Sequence, residues 1–596
     1  MSNVHPAPAT GLFRSLLWPT VRPYRWWLLL AIGLNAGHGL AITYQNLLPK
    51  YLIDDVIKPG PDGLWTRLTW LIGTYLLVSV VGRMIQWHLS MRIFTWVRER
   101  AMQDLRARFF GHVNRLCLRF HGSNESGELF NYLFGSPISK LQSFLSHVTL
   151  LLPGAVIAFV TTIVAVGLWD LWMTAVLLLS ILLSVWAMTA AERRVHDLWA
   201  EYQKTEGKVS AVVADLLRGN RAVRLHAMEE HVQGRFRAEV DRIREQVYRV
   251  DVRSHIEWMK QEGIGYACFA LLCAVGAWRY VGGHISDGML VTYITTFFAL
   301  QWPLQTVFQA MTMRGGARAA LERIDAVLRT PSTTPDPPGT AETVPARAAI
   351  RLEGVRFAYG AEEVIAGVDL DIPYGQRIAL VGPSGSGKST LSSLALRLVD
   401  PTAGRVLLGG TDLRRLRGAE LRRRWGVVPQ DPFIFRTTIR ENVRVSLPEA
   451  DDTQVRRALE LANAWEFVAQ LPQGLDSVVG EGGCTLSGGQ RQRVAIARAL
   501  LADPDWFVFD EATSALDSLS ERLIQDAVER NLGGRTAIFI AHRLATVRNC
   551  DRIIVVQGGR IVQDGTYAVL AESDGLFRDL VRRQELFAAG IGEKPA

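Results

Sequence analysis

Gly382-Pro383-Ser384-Gly385-Ser386-Gly387-Lys388-Ser389-Thr390 follows a stretch, Gln376 to Val381, that ends in an apolar run and reads as a buried strand. A helix is expected from Thr390 onward. This is the GxxxxGK[ST] pattern in the strand–loop–helix setting that phosphate binding requires. Glycines let backbone N–H groups wrap phosphate oxygens, and a helix N-terminus adds positive potential. Lys388 is placed to reach the β- and γ-phosphates of a nucleotide, and Ser389 to offer its hydroxyl to Mg²⁺.

Further along, Trp506 to Phe509 is a second buried-strand run, and it ends in Asp510-Glu511. An aspartate at the end of such a strand can hold the Mg²⁺ shell, while the next carboxylate orients an attacking water. Between the two strands lies Leu486-Ser487-Gly488-Gly489-Gln490, a small-residue nest that opens a helix. Singly, each is a glycine turn or a solvated carboxylate. In this order, within one domain, they describe a site that binds and hydrolyses ATP.

The rest of the chain has a different character. At 596 residues it is too long for one core, and its 48% apolar content hides a sharp asymmetry. Residues 350–585 read as an ordinary α/β domain, whereas residues 26–328 contain six segments able to span about 30 Å of hydrocarbon. These are 26–48, 64–88, 143–167, 170–190, 260–281 and 286–312, several flanked by Trp (Trp26, Trp27, Trp65, Trp278). An amphipathic stretch within residues 1–25, Gly11 to Tyr24, is expected at the membrane interface. Residues 329–349, rich in Pro and Thr, read as a linker, and 586–596 as a C-terminal tail.

The net charge of +8 comes with arginines beside apolar runs, such as Arg92, Arg98, Arg100, Arg106 and Arg108. That placement fits the positive-inside rule better than a nucleic-acid footprint. The connections 49–63, 168–170 and 279–285 hold few basic residues, Lys50, Lys58 and Arg279, so they are expected outside. The long connections 89–142 and 191–259 belong to the cytoplasm, with both termini. Localisation in the inner (plasma) membrane as a multi-pass protein follows. Met1 to Thr10 lacks a basic n-region, so the first apolar helix is expected to remain as an anchor. The five cysteines show no CxxC pair and read as reduced thiols.

The two cytoplasmic connections keep helical, charged periodicity and are expected to continue the membrane helices. Each is interrupted, near 121–127 and near 207–219, leaving a short helix at its tip. In the membrane, Asn35, His38 and Gln45 form one polar stripe, and Gln301, Gln305 and Gln309 another at four-residue spacing. Either interhelical hydrogen bonding or a substrate-lining wall would explain them. Arg83 is expected to snorkel, and Pro303 to kink the sixth helix.

Taken together, the chain resembles the ATP-binding cassette family, specifically its exporter-type half-transporters, over nearly its whole length. The resemblance implies an all-α six-helix transmembrane domain with long cytoplasmic extensions, followed by an α/β P-loop ATPase domain. It implies that Tyr359 stacks on adenine and that Gly382–Thr390 is the phosphate loop. Gln430, in Val428-Pro429-Gln430-Asp431-Pro432, looks like the glutamine that senses Mg²⁺ and water. Leu486–Gln490 is the family signature, Asp510 the Mg²⁺-shell aspartate, Glu511 the catalytic base and His542 the switch histidine at the γ-phosphate. Ser514-Ala515-Leu516-Asp517 resembles the loop that couples two sites. Asp476 to Gly483 resembles a loop that reads the membrane domain, with Gly482 where an arginine is usual. Ser126 to Asn131 and Arg218 to Glu230 resemble the coupling regions, although Gly135-Ser136-Pro137 departs from the acidic residues often found there.

In that family two cassettes meet head to tail, so a dimer is implied. Glu511, His542 and the signature all have consensus form, which favours a homodimer over pairing with a related half. The expected activity is ATP-driven export, or leaflet flipping, of a lipid or drug-like amphipathic molecule by alternating access. A peptide-derived product is the alternative substrate. A membrane-anchored ATP sensor or gated channel is the alternative class, and Glu511 argues against it. A soluble cassette ATPase would not need six apolar helices.

Overall fold

The computed structural model describes Phe13 and residues 17–123, 126–480, 484–510, 518–541 and 544–588. The chain forms two compact units, Met1–Asn114 with Glu125–Thr330, and Arg115–Asn124 with Pro331–Ala596.

The first unit is helical. Among the described residues, five helices are long and apolar enough to cross a membrane: Trp18–Ile57, Leu64–Val113, Gly127–Gly167, Leu171–Arg218 and Glu229–Val281. The sixth expected span is divided into Asp287–Ala299 and Gln301–Leu328, broken at Leu300. Pro303 lacks the N–H that would have bonded the Ala299 carbonyl, which accounts for a break one turn earlier. The second cytoplasmic excursion is interrupted once, at the far end of the expected 207–219 range. Leu171–Arg218 runs unbroken through Gly207, and the interruption falls at Gly219, before the short helix Asn220–Leu225. A single glycine costs a helix only about 1 kcal/mol, too little to break one of 48 residues.

Among the described residues of the membrane helices lie three π-helical segments: Tyr51–Ile57, Val78–Ile85 and His147–Leu151. Two of them meet the polar stripe of the first helix. Asn35, fully buried, donates its amide to the Leu150 carbonyl, and His38 Nδ1 donates to the Arg83 carbonyl at 3.2 Å. Gln45 donates to Ser79 at 2.8 Å and accepts from Arg83 Nη1 at 2.8 Å. This stripe therefore joins helices. Arg83 engages a neighbouring helix rather than only reaching for the interface. The first and third helices approach closely enough that a Cβ on Gly39 would lie 2.5 Å from the Gly154 carbonyl oxygen.

Buried ion pairs tie the helices together, at an end and along their length. Asp170, 4% exposed, caps Leu171–Arg218 through the Met173 N–H and takes two bonds from Arg279, at 2.8 and 2.6 Å. The Tyr293 hydroxyl donates to the Val166 and Asp170 carbonyls. Glu257, buried, accepts from Arg194 and Lys260.

The second unit contains two sheets. One is antiparallel, built from β1 (Ile350–Tyr359), β2 (Glu362–Ile372), β4 (Ala403–Leu408) and β5 (Thr411–Asp412) in the order β2-β1-β4-β5. The other adds β3 (Arg377–Val381), β6 (Trp425–Val428), β7 (Trp506–Asp510), β8 (Thr536–Ile540), β9 (Arg552–Gln557) and β10 (Arg560–Gly565). Its order is β10-β9-β3-β8-β7-β6, parallel except at β10. Both faces are covered, which explains the continuous apolar runs in its strands. Ala379, Phe507, Phe509, Phe539 and Val555 enter one core, and Ile378, Leu380, Val508, Ile538 and Ile554 the other.

Residues 329–349 carry no helix or extended strand, as their composition foresees, but they are not loose. Val344 is buried in the second core, Arg397 Nη2 donates to the Pro335 carbonyl at 2.6 Å, and the Gly418 N–H donates to Asp336 at 2.9 Å.

Replacing Arg279 with alanine leaves Asp170 charged and unpaired, and should destabilise the membrane unit by about 3 kcal/mol. Adding Asp170→Asn should restore part of the loss, because asparagine still caps the helix without a charge. Thermal unfolding of the two purified variants in detergent checks both directions.

Candidate functional site

The phosphate loop is held from two sides. Gly382 has φ +152°, and a Cβ there would lie 2.0 Å from the Val556 carbonyl oxygen at the end of β9. Gly387 has φ +103°, and its Cβ would lie 2.7 Å from Ile365 Cδ1 on β2. At Gly382 backbone blocks any side chain, and at Gly387 the positive φ disfavours one, so glycine is suited to both points. Pro383, Ser384 and Gly385 form an exposed crest, while Ser386 is buried. The helix Lys388–Ala395 then begins, with Gly387 as its N-cap. Lys388 is only 6% exposed, and its Nζ donates to the Gly382 and Pro383 carbonyls, both at 2.8 Å. Its ammonium is thus centred within the loop. Ser389 is exposed at the helix start beside buried Thr390.

Strand register sets what lies nearby. Leu380 on β3 pairs with Ile540 on β8, and Ile540 pairs with Asp510 on β7. Val428 on β6 pairs with Phe509. The carboxyl ends of β3, β8, β7 and β6 therefore share one edge of the sheet, the place where parallel α/β sheets bind ligands. From that edge β3 enters the phosphate loop, β7 ends in Asp510, and β6 leads to exposed Gln430. Glu511 and His542 follow β7 and β8 in the chain and lie outside the described residues, as does Ser514–Asp517.

Gln430 sits in an anchored turn. Gln492, 3% exposed, donates to the Pro429 carbonyl at 3.1 Å. Beyond it, buried Asn442 donates to the Phe435 and Thr438 carbonyls. Arg498 donates to the Asn442 and Phe433 carbonyls, at 2.9 and 3.2 Å, and burial pulls its pKa below the usual guanidinium value. None of these three supports follows a spacing that sequence alone would single out. Tyr359, 41% exposed, ends β1 with its ring edge-on to Phe357, at 4.7 Å between centroids. Its hairpin partner β2 is the strand that presses on Gly387.

Ser487 to Gln490 form a capping box. Ser487 Oγ accepts from the Gln490 N–H at 3.2 Å, and Gln490 Oε1 accepts from the Ser487 N–H at 2.8 Å. This pairing fixes the entry to helix Gly488–Leu501 and leaves the backbone of Gly488, which carries no side chain, exposed at its N-terminus. Asp476 is held by Arg440, which also pairs with Asp452; Glu481–Gly483 lie outside the described residues.

A membrane-spanning helical unit and a P-loop ATPase in one chain define an ATP-driven membrane transporter, and comparison with known proteins agrees. Residues 28–304 match the ABC transporter transmembrane region and residues 365–514 the ABC transporter. The chain is 34% identical over 97% of its length to the ATP-dependent lipid A-core flippase of Chromohalobacter salexigens, spanning 99% of that protein. It is 28% identical over 95% of its length to YgaD of Bacillus subtilis, an ATP-binding/permease protein whose name proposes multidrug export, spanning 98% of it. A solved bacterial Atm1-family ABC exporter with ATP bound superposes with a TM-score of 0.81 at 27% identity, over 96% of this chain and 99% of its own. This chain belongs to the ABC transporters. It is an integral membrane ATPase of the exporter type, and ATP is its nucleotide.

Gly382→Ala places a methyl group against the Val556 carbonyl and should displace the phosphate loop. Affinity for a fluorescent ATP analogue is expected to fall by at least about tenfold, equivalent to 1.4 kcal/mol.

Proposed function

We propose that the protein is a homodimeric ATP-driven exporter or flippase that moves a lipid-like or other amphipathic molecule across the inner membrane. The observation that carries this reading is the shared sheet edge, which lines up the phosphate loop, Asp510 and the Gln430 turn in a chain that also spans the membrane. The lipid A-core flippase relative supports a lipid-like substrate. So does helix Gln301–Leu328, whose exposed Gln305 offers a neutral hydrogen-bonding group one turn from Gln309, itself bonded to His147 Nε2. The inside-positive loop charges support cytoplasmic termini, with 26–328 as the transport domain and 350–585 as the motor.

The roles in hydrolysis follow from chemistry. Lys388 and the loop amides bind the phosphates, and Tyr359 offers its exposed ring to the adenine. Ser389, Asp510 and Gln430 present a hydroxyl, a carboxylate and an amide oxygen, an all-oxygen set suited to Mg²⁺. Bound there, Mg²⁺ supplies charge neutralisation for the transferred phosphoryl group. Glu511 acts as general base on water and His542 contacts the γ-phosphate. The Ser487–Gln490 helix start binds the phosphates of nucleotide held by the second copy, which makes the dimer the functional unit.

Glu511→Gln should abolish steady ATP turnover while the fluorescent analogue still binds, and a near-normal hydrolysis rate would refute Glu511 as the base. In vesicles, lipids and amphipathic drugs should stimulate the ATPase and peptides should not. Stimulation by peptides alone would move the substrate class.

A further inference from the structure

The helix that begins with Lys388 ends at a second built site. Its last turn closes with the Leu398 N–H bonded to the Ser393 carbonyl at 2.9 Å, and the Arg397 N–H to the Leu394 carbonyl at 3.1 Å. That is a Schellman ending, and Arg397 occupies its left-handed position with φ +49°. The position normally belongs to glycine, since a Cβ is disfavoured there. A non-glycine residue held in this conformation is over-determined by its surroundings. Here the side chain shows why.

Arg397 is 2% exposed. Its Nη2 donates to the Pro335 carbonyl at 2.6 Å, Nη1 to the Leu416 carbonyl at 2.5 Å, and Nε to Asp400 at 3.3 Å. Asp336, next to Pro335, lies 4.0 Å from the same guanidinium and accepts the Gly418 N–H. Two neighbouring contacts secure the strap further: Ser332 donates to the Arg115 carbonyl, and the Glu342 N–H donates to the Arg415 carbonyl. Pro335 and Asp336 are separated by only a few residues from Leu328, the last residue of the sixth helix. One side chain therefore joins the far end of the phosphate-binding helix, eight residues long and about 12 Å from its first turn, to the covalent continuation of the transport helix.

We infer that Arg397 is a positioning residue: it clamps the 331–336 strap to the phosphate-loop helix, so that nucleotide occupancy is passed along the strap to the sixth helix. A shift of Lys388–Ala395 on phosphate binding carries the guanidinium with it, and the strap, bound at Pro335 and beside Asp336, follows. The coupling is reciprocal, so the position of the sixth helix alters the phosphate loop's preference for ATP. The inference rests on the exporter reading above but concerns a path within this chain.

The test uses the full-length protein in lipid vesicles, with native cysteines removed and a spin label introduced by Met311→Cys on the sixth helix. Distances between the two labels of a dimer are measured with and without ATP plus vanadate. One variant inserts Gly-Ser-Gly between Thr333 and Thr334, slackening the strap while keeping every Arg397 contact. The other is Arg397→Gly, which suits the left-handed backbone and removes only the clamp. The insertion is expected to leave affinity for the fluorescent ATP analogue within about twofold, and in both variants the ATP-dependent distance change should fall by more than about half. A full distance change in either variant overturns the inference. Loss of nucleotide binding by the insertion variant overturns it as well, because the strap would then serve only the ATPase fold. If the unmodified strap shows no ATP-dependent change, the exporter reading itself fails instead.

Discussion

A buried polar group inside a bilayer has no water to bond with, and that constraint organises the membrane unit. The π-helical segments at Val78–Ile85 and His147–Leu151 lie against the first helix, which supplies His38 to the Arg83 carbonyl and Asn35 to the Leu150 carbonyl. The polar stripe is thus the counterpart of irregular backbone in two neighbouring helices. It sets their rotation and depth relative to the first helix. The close packing at Gly39 and Gly154 follows from the same alignment.

The ATPase unit meets the same demand with different residues. Ser487 and Gln490 exchange bonds to finish one helix start, Thr438 and Asp451 cap others, and Arg397 completes a helix end that glycine would normally close. These endings matter because the proposed site is built from helix termini and strand ends. Parallel pairing then puts those ends at one edge. The register of β3, β8 and β7 decides which loops are neighbours, and two buried cores hold that register from both sides.

Much of this was legible beforehand. The phosphate loop, the strand before Asp510 and the apolar membrane segments are local patterns, each readable from a window of 5 to 25 or so residues. Pro303 announced a break because a missing N–H is a property of one residue. Of the two glycines bounding the expected break, Gly207 stays helical, because glycine only weakens a helix and a helix this long, packed along Glu229–Val281, outweighs it. The linker composition foretold the lack of regular structure but not the anchoring at Pro335 and Asp336, whose partner Arg397 is about 60 residues away in the chain.

The amino-acid order by itself determined which chemistry the chain carries: a glycine-rich loop ending in Lys388 and Ser389, a strand ending in Asp510, and helices apolar enough to enter lipid. Those depend on side-chain type and short-range spacing. Only the tertiary structure decided how Arg83, Asn35 and His38 divide between helix-to-helix bonding and other tasks, which carbonyls Gln492, Arg498 and Arg397 secure, and where the second excursion breaks. The physical reason is that a hydrogen bond between distant residues depends on packing that brings them within about 3 Å, and no local pattern encodes that meeting.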